Sequence, residues 1–159
     1  MNLSPTMLLS NIRKLKLNPG TRLLGLDLGS KTIGVAISDR KLLIATPINI
    51  IKRKNLRMDI NSLKLVIEKR DVGGIILGYP LNMDGSEGPM CQSIKQFASN
   101  IETSFNFPIF FWDERMSTTA VNKQLIKLDL SRNKRKKIID KEAAAFILQG
   151  ALDHINQLP

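Results

Sequence analysis

The sequence is poor in the residues that form disulfides and soft metal sites. Its 159 residues include one cysteine, Cys91, and one histidine, His154. A disulfide within the chain is therefore impossible, and a structural zinc site would lack its sulfur and nitrogen ligands. Any metal that the chain binds must be held by oxygen atoms, which favours Mg²⁺ or Mn²⁺. Cys91 lies in a helical pattern with no histidine near it and is expected to be a small structural hydrophobe.

The sequence also lacks a long hydrophobic run. No segment approaches the roughly 20 apolar residues that a membrane-spanning helix requires. The N-terminal residues have only a short apolar run and no small-residue cleavage site of the kind that ends a signal peptide. We therefore expect a cytoplasmic protein with no membrane partner.

Acidic residues are scarce relative to basic ones. Lysine and arginine number 24 against 14 aspartates and glutamates, which gives a formal net charge of +10. Such an excess indicates a polyanionic partner, either nucleic acid, an anionic membrane surface or an acidic protein, although a merely basic protein is an alternative. Because aromatic residues are only 5% of the chain, a nucleic acid would be recognised by its shape or backbone more than by base stacking.

The length and the hydrophobic periodicity predict one α/β domain. A short amphipathic helix over residues 5–15 ends at Asn18-Pro19-Gly20, so residues 1–20 are expected to form a helical extension of a single domain, 21–157. The pattern then predicts three strands, a helix, a strand, a helix, a strand and two helices. Strands joined by short turns are typically antiparallel, and strands that alternate with helices are typically parallel. The prediction is a mixed five-stranded sheet flanked by helices, with the third strand (44–51) irregular or at an edge because it contains Pro47.

Four acidic residues lie at positions from which a metal site could be built. Asp27 interrupts an apolar strand, where an isolated ionised carboxylate would be costly. Asp113 and Glu114 end the strand PIFFWDE, and strand alternation lets at most one of them face Asp27. Asp140 is predicted at the start of the last helix (about 139–156), in line with a core-facing stripe. If these acids converge, they form an all-oxygen site for one or two divalent ions, which suits phosphodiester hydrolysis.

Each of these acids also has an ordinary structural explanation. Asp27 could satisfy the turn at Gly29. The Asp113-Glu114 pair could be a polar strand end with Arg115 as a local partner. Asp140 could cap its helix and complement the helix dipole. The residues alone leave these alternatives open.

Two basic runs accompany the acids. One shortly precedes Asp140 and would place cations beside the proposed metal site, where a phosphate backbone has to lie; it consists of Arg132, Asn133, Lys134, Arg135, Lys136 and Lys137. A solvated charged loop is its alternative explanation. The other run lies between the third strand and the next helix and contains Lys52, Arg53, Lys54 and Arg57.

Four segments resemble, in order and spacing, the signature segments of the YqgF/RuvX family: LLGLDLGSKTIGVAISD, GGIILGYPLNMDGSEGP, FFWDERMSTTAV and KKIIDKEAAAFILQGALD. The resemblance extends over residues 22–153, nearly the whole chain. Members of this family are bacterial proteins of RNase H-like fold, described as Holliday junction resolvases and as nucleases that process the 5′ end of the 16S rRNA precursor. The resemblance therefore implies an RNase H-like fold and a nuclease.

The resemblance also implies roles for individual residues. Asp27 would be the metal ligand on the first strand, Glu114 the second acid with Asp113 as its rival, and Asp140 the acid on the last helix. The loop 82–86 would approach the substrate backbone, with a glycine-assisted turn as the alternative. The residues expected on the nucleic-acid side of the site are Lys31, Arg115 and Ser117, together with Arg132, Lys134, Arg135, Lys136 and Lys137 of the basic run.

The sequence departs in one respect from the related RuvC-type resolvases, which carry an acid at the end of the fourth strand. This chain has Gly78-Tyr79-Pro80 there. The second metal ligand would have to come from the next strand instead. The departure weakens the inference of junction resolution relative to general phosphodiester cleavage.

The leading hypothesis is a Mg²⁺- or Mn²⁺-dependent endonuclease that processes the 5′ end of precursor 16S rRNA. Its alternatives are resolution of four-way DNA junctions and binding of nucleic acid without cleavage. ATP-binding domains of the actin and sugar-kinase group also read D-x-G after a first strand, but they need two such domains and 159 residues supply one. We therefore expect no nucleotide cofactor, and either a monomer or a homodimer.

Overall fold

The structure, a computed structural model, describes residues 18–115, 128 and 131–157, and for residues 136–141 it describes the backbone alone. The helix predicted over residues 5–15 falls outside this part of the chain, and so does nearly all of the first of the two helices predicted after the last strand. No helix within it is both long and apolar enough to cross a membrane. Its elements are β1 (Arg22–Leu28), β2 (Thr32–Ser38), β3 (Ala45–Lys52), α1 (Leu56–Ile67), β4 (Val72–Tyr79), α2 (Cys91–Phe105), β5 (Ile109–Asp113) and α3 (Arg132–Gln157).

The strands form one mixed sheet with the order β3-β2-β1-β4-β5. β2 pairs antiparallel with β1 and β3, whereas β4 pairs parallel with β1 and β5. The predicted sheet is confirmed, and β3 lies at an edge. Pro47 coincides with an irregularity there, because Ala36 pairs with Pro47 while Val35 pairs with Asn49, which leaves one residue of β3 unmatched.

The strand directions bring several strand ends to one edge of the sheet, which we call the carboxyl edge. β1, β4 and β5 are parallel and all end at this edge. β2 runs the opposite way and begins there at Thr32, and β3 ends there at Lys52, the residue that pairs with Thr32. In open α/β sheets this is the edge at which ligands bind.

The sheet has one face covered by α1 and α2 and another covered by α3. Strand alternation divides β1 between them, with Leu24, Leu26 and Leu28 on the first face and Leu23 on the second. Cys91 is fully buried on the first face, as expected for a small hydrophobe. On the second face α3 presents residues that are at most 4% exposed, Ala144, Ile147 and Ala151. The core-facing stripe predicted for the last helix is confirmed.

The start predicted for the last helix is wrong, because α3 begins at Arg132, about two turns earlier. Ser131 caps it: its hydroxyl accepts a hydrogen bond from the backbone N–H of Lys134 at 3.3 Å, and its carbonyl oxygen accepts one from the N–H of Arg135 at 2.9 Å. The basic run is therefore helical, and Asp140 lies inside the helix, where it cannot act as the cap. Apolar periodicity missed this part of the helix because the run is charged, yet lysine and arginine are good helix formers.

A glycine in β1 allows α3 to pack directly against the sheet. A Cβ atom on Gly25 would lie 2.7 Å from the Cβ of Leu148 and 3.0 Å from the carbonyl oxygen of Ala144. Both distances are shorter than the separation at which carbon atoms attract each other. Any larger residue at position 25 would therefore force the helix and the strand apart.

We expect Gly25→Ala to lower the free energy of unfolding by about 1–3 kcal/mol, because the added methyl group overpacks the contact with α3. Gly34→Ala is a matched control on the same face, since its Cβ would lie 3.5 Å from the Cβ of Ala144, an ordinary contact. Urea unfolding followed by the fluorescence of Trp112 measures both variants. Equal destabilisation by the two substitutions would contradict the close-approach explanation.

Candidate active site

Asp27 lies on the α3 face of the sheet, near the carboxyl edge. It is the last residue but one of β1 and pairs with Gly34 of β2. Its Cβ lies 3.6 Å from the position that a Cβ on Gly34 would take, and the Cβ of Ala144 lies 3.5 Å from the same position. The side chain is half-buried. Asp27 is therefore next to the surface on which α3 packs.

Glu114 reaches the same face from the end of β5. It follows the strand directly, and its carboxylate lies on the face where Phe110 and Trp112 pack against α3. Its carboxylate lies over Gly78 of β4: a Cβ on Gly78 would overlap Oε1 of Glu114 and lie 2.6 Å from Cδ1 of Ile147. The missing side chain at position 78 is what gives the Glu114 carboxylate its space.

The surroundings of Glu114 raise the pKa of its carboxyl group from 4.5 to about 7. Burial is the largest cause, the negative charge of Asp27 comes next, and that of Asp113 contributes as well. Two carboxylates in one partly buried place repel each other, and a raised pKa of this kind is characteristic of functional sites. A bound cation would relieve this repulsion.

Asp113 lies on the opposite face and is held by Arg115. It pairs with Tyr79, whose side chain belongs to the α1 and α2 face. Nε of Arg115 donates to both carboxylate oxygens of Asp113 at 3.0 Å, and Nη2 donates to Oδ2 at 2.6 Å. The sequence left Asp113 and Glu114 as rivals. The structure brings Glu114, and not Asp113, to the face that carries Asp27.

Arg115 also fastens the loop 82–87 to the end of β5. Its Nη1 donates to the carbonyl oxygens of Met83 at 3.2 Å and Asn82 at 3.4 Å. The loop is closed by a hydrogen bond from the N–H of Asn82 to the carbonyl oxygen of Ser86 at 2.8 Å, and Gly85 adopts a φ of +88° that favours glycine. We expected the Arg115 guanidinium to contact nucleic acid, but several of its N–H groups donate hydrogen bonds to protein atoms.

Arg53 fastens the turn that follows Asp27. Its backbone N–H donates to the carbonyl oxygen of Lys31 at 2.9 Å, and Nη1 donates to that of Gly29 at 2.7 Å. Its guanidinium also lies 5.7 Å from the ring centroid of Phe97. Arg53 therefore has a structural role within the second basic run.

The other sequence-predicted residues are distributed around this face. Lys31 is exposed in the turn after Asp27, and Arg132 and Lys134 are exposed in the first turn of α3, where Arg135 is half-buried. Ser117 and the side chains of Lys136, Lys137 and Asp140 lie outside the described residues. The backbone of residue 140 is one helical turn before Ala144, whose Cβ lies 3.5 Å from the position that a Cβ on Gly34 would take.

The donors at this site fit a hard divalent cation. Among the described side chains, which do not include that of Asp140, no group of three His, Cys, Asp or Glu residues is close enough to hold a metal. Asp27 and Glu114 nevertheless supply clustered carboxylate oxygens, the donors that Mg²⁺ and Mn²⁺ prefer. The mutual repulsion of the two groups is what a cation would offset.

Sequence reasoning missed one feature of the site and one contact on the opposite face of the sheet. The sequence showed that no acid stands at Gly78, where related resolvases carry one. It did not show that the Glu114 carboxylate lies over Gly78, because this contact depends on the pairing of β4 with β5. The link between Tyr79, Glu87 and Lys95 was also missed: Tyr79 Oη donates to Glu87 Oε1 at 2.8 Å, and Lys95 Nζ lies 2.6 Å from the same oxygen. No local sequence pattern indicates either contact, because both join residues from separate elements.

The sequence matches known proteins along most of its length. Residues 21–154 match the family model described as "RuvX: Holliday junction resolvase". A protein of Ruegeria pomeroyi is 51% identical over 142 residues, which cover 89% of this chain and 92% of the relative. One of Paramagnetospirillum magneticum is 49% identical over 152 residues, covering 96% and 95%. Each of these relatives carries the name "Putative pre-16S rRNA nuclease".

The fold is similar to that of a solved resolvase. The yeast mitochondrial Holliday junction resolvase Ydc2 superimposes with a TM-score of 0.55 and 15% sequence identity, over 94% of this chain and 85% of that chain. At this identity the likeness concerns the fold, and the predicted RNase H-like fold is confirmed.

We expect the stability of the metal-free protein to fall as the pH rises from about 4.5 to about 7, because unfolded Glu114 releases its proton at the lower value and folded Glu114 at the higher. Glu114→Gln removes this penalty and should stabilise the protein at pH 8 by on the order of 2 kcal/mol more than at pH 4.5. Urea unfolding in EDTA measures the difference, with Glu102→Gln as an exposed control. Parallel pH profiles for wild type and Glu114→Gln would contradict the raised pKa.

We expect Arg115→Gln to loosen the loop 82–87, because the substitution removes the donors to Asp113 and to the loop carbonyls. Backbone amide hydrogen exchange at Gly85 should become roughly fivefold faster. Exchange at Ile101, in the middle of α2, should be unchanged. Unaltered exchange at Gly85 would show that Arg115 does not hold the loop.

Proposed function

The chain belongs to the RuvX family of resolvase-like nucleases, and we propose that it is a Mg²⁺- or Mn²⁺-dependent endonuclease that processes the 5′ end of precursor 16S rRNA. The observation that carries this proposal is the convergence of Asp27 and Glu114 on the α3 face. Their arrangement raises the pKa of the Glu114 carboxyl group to about 7, and their oxygen atoms suit a divalent cation. The net charge of +10 suits a polyanionic substrate.

Asp27, Glu114 and Asp140 would hold the metal. The first two come from neighbouring parts of the carboxyl edge, and the backbone of residue 140 lies one turn from Ala144. Asp113 is the weaker candidate because Arg115 donates hydrogen bonds to both of its carboxylate oxygens. When bound, a divalent ion supplies activation of water and neutralisation of charge at the phosphate.

The remaining residues would bind and orient the substrate. Lys31 and the exposed cations of the first turn of α3, Arg132 and Lys134, are placed to attract phosphates. Arg115 acts through the loop 82–87, whose backbone it holds at the end of β5. Because the pKa of the Glu114 carboxyl group is raised to about 7, part of the Glu114 side chains carry a proton near neutral pH, and binding of a cation would release it.

The choice of RNA over DNA is supported by the relatives at 49–51% identity, whose names refer to pre-16S rRNA. The description of the family model as a Holliday junction resolvase supports the alternative, a four-way DNA junction. The two substrates share the phosphodiester chemistry of one site, so a direct comparison of cleavage rates distinguishes them. A protein that binds either one without cutting it is the third outcome.

We expect the purified full-length chain with Mg²⁺ or Mn²⁺ to cut a 5′-extended 16S precursor RNA faster than a synthetic four-way junction. Asp27→Asn, Glu114→Gln and Asp140→Asn should each lower the cleavage rate by about 100-fold or more, because each would remove a metal ligand. Glu102→Gln, on the exposed side of α2, should leave the rate unchanged.

Faster cleavage of the junction would favour the DNA alternative. If wild type binds RNA and forms no metal-dependent product, while Asp140→Asn binds as well or better, the protein binds nucleic acid without cutting it. Full activity of Asp27→Asn would exclude the proposed site.

A further inference from the structure

A concave notch of about 200 Å³ lies between the end of β3 and the outer side of α1. Lys52 and Lys54 line it from the strand side, and Met58, Ser62 and Leu65 line it from the helix. The helical residues are spaced by three or four positions and thus form one stripe along α1. We call this feature the β3–α1 notch.

The accessible charge of the β3–α1 notch is positive. Asp59 also lines it, but this residue is only 2% exposed. Its Oδ1 accepts a hydrogen bond from the backbone N–H of Lys54 at 3.0 Å, and its Oδ2 lies 3.4 Å from Nε of Arg53. The side chains of Lys52 and Lys54 are exposed, so a ligand entering the notch meets two cations and a carboxylate that is already engaged.

The notch is fixed relative to Asp27. Lys52 pairs with Thr32, just after the turn that follows Asp27. Arg53 joins the two segments through the carbonyl oxygens of Lys31 and Gly29. β3 and β1 are two strand spacings apart, which separates Lys52 from Asp27 by about 10 Å or more along the carboxyl edge. Because α1 covers the face of the sheet opposite to that of Asp27, a strand that contacts both must cross this edge. A single strand that crosses the edge therefore spans several nucleotides between the notch and Asp27.

We propose that the β3–α1 notch binds the phosphate backbone of a single-stranded segment of the substrate, several nucleotides from the bond that is cut. The proposal rests on the proposed nuclease function, because it places the notch on the path of the strand that reaches Asp27. Lys52 and Lys54 contact phosphates, and the exposed side chains of Met58 and Leu65, 43% and 67% accessible, offer an apolar surface to a base. With no aromatic ring in this lining, the contact carries no sequence preference.

A second copy of the chain is the competing occupant, since β3 is an edge strand. Edge strands bind further strands through their free backbone groups, but prolines and irregularities in them oppose such pairing. Pro47 and the register shift beside it interrupt β3 in this way. The cations of the notch also favour an anion over an identical, equally basic surface.

The test measures binding of single-stranded RNA by fluorescence anisotropy in EDTA, across a range of salt concentrations, with the full-length protein. The variant is Lys52→Gln/Lys54→Gln. The matched control is Lys64→Gln/Lys69→Gln, which lowers the net charge by the same amount. Lys64 and Lys69 are exposed, and Lys69 lies before the start of β4, at the opposite edge of the sheet.

The slope of log K against log salt is negative, and its magnitude should be smaller by about 1.4 for the notch variant than for the wild type. Each phosphate contact to a single strand contributes about 0.7 to this magnitude. Its affinity at moderate salt should fall by roughly fivefold to tenfold. Lys52→Arg/Lys54→Arg keeps both charges and should keep the slope. RNAs shortened from either end should identify a length below which the wild type and the notch variant bind equally.

Equal loss of slope in the control variant, or a loss that does not depend on RNA length, would overturn the proposal. So would unchanged RNA binding with an altered sedimentation coefficient, which would assign the notch to contacts between copies. These outcomes are distinct from failure of the proposed function. If the slope depends on RNA length but no metal-dependent cleavage occurs, the proposed nuclease activity is overturned and the notch remains a site that binds the phosphate backbone.

Discussion

Two carboxylates that repel each other are held together at the carboxyl edge of the sheet, and the rest of the site follows from that constraint. Glu114 lies over Gly78, and its pKa is raised to about 7 by burial and by the charge of Asp27. The arrangement persists because the sheet fixes both strand ends and α3 closes over them. A fold that only needed stability would separate these charges or leave them in water.

The adjacent residues Asp113 and Glu114 serve opposite faces of the sheet. Alternation at the end of β5 directs Glu114 toward α3, whereas Asp113 binds Arg115 on the other side. Arg115 in turn holds the carbonyl oxygens of the loop 82–87. Glu114 therefore supplies an acid to the candidate site, whereas Asp113, one residue earlier, binds the arginine that holds the loop 82–87.

The sheet could be predicted from the sequence because its strands are short, strongly apolar and separated by clear turns. Strand alternation also showed that Asp113 and Glu114 could not both face Asp27. Which of them does so could not be predicted, because it depends on the pairing of β5 with β4 and on the space above Gly78. The start of α3 was missed because the basic run has no apolar face, although the cap at Ser131 was present in the sequence. Contacts between distant elements, such as Arg53 with Gly29, leave no local signal.

Because α3 begins at Arg132, the helix fixes the distance between its basic first turn and residue 140. Arg132 and residue 140 belong to the same rigid element, with about 12 Å of helical rise between them. A flexible basic loop would also attract a polyanion, but it would not fix the distance between the bound phosphates and residue 140. In a continuous helix the same charges lie at a fixed distance from residue 140, so a phosphate bound at the first turn, as proposed above, would lie at a defined distance from the carboxyl edge.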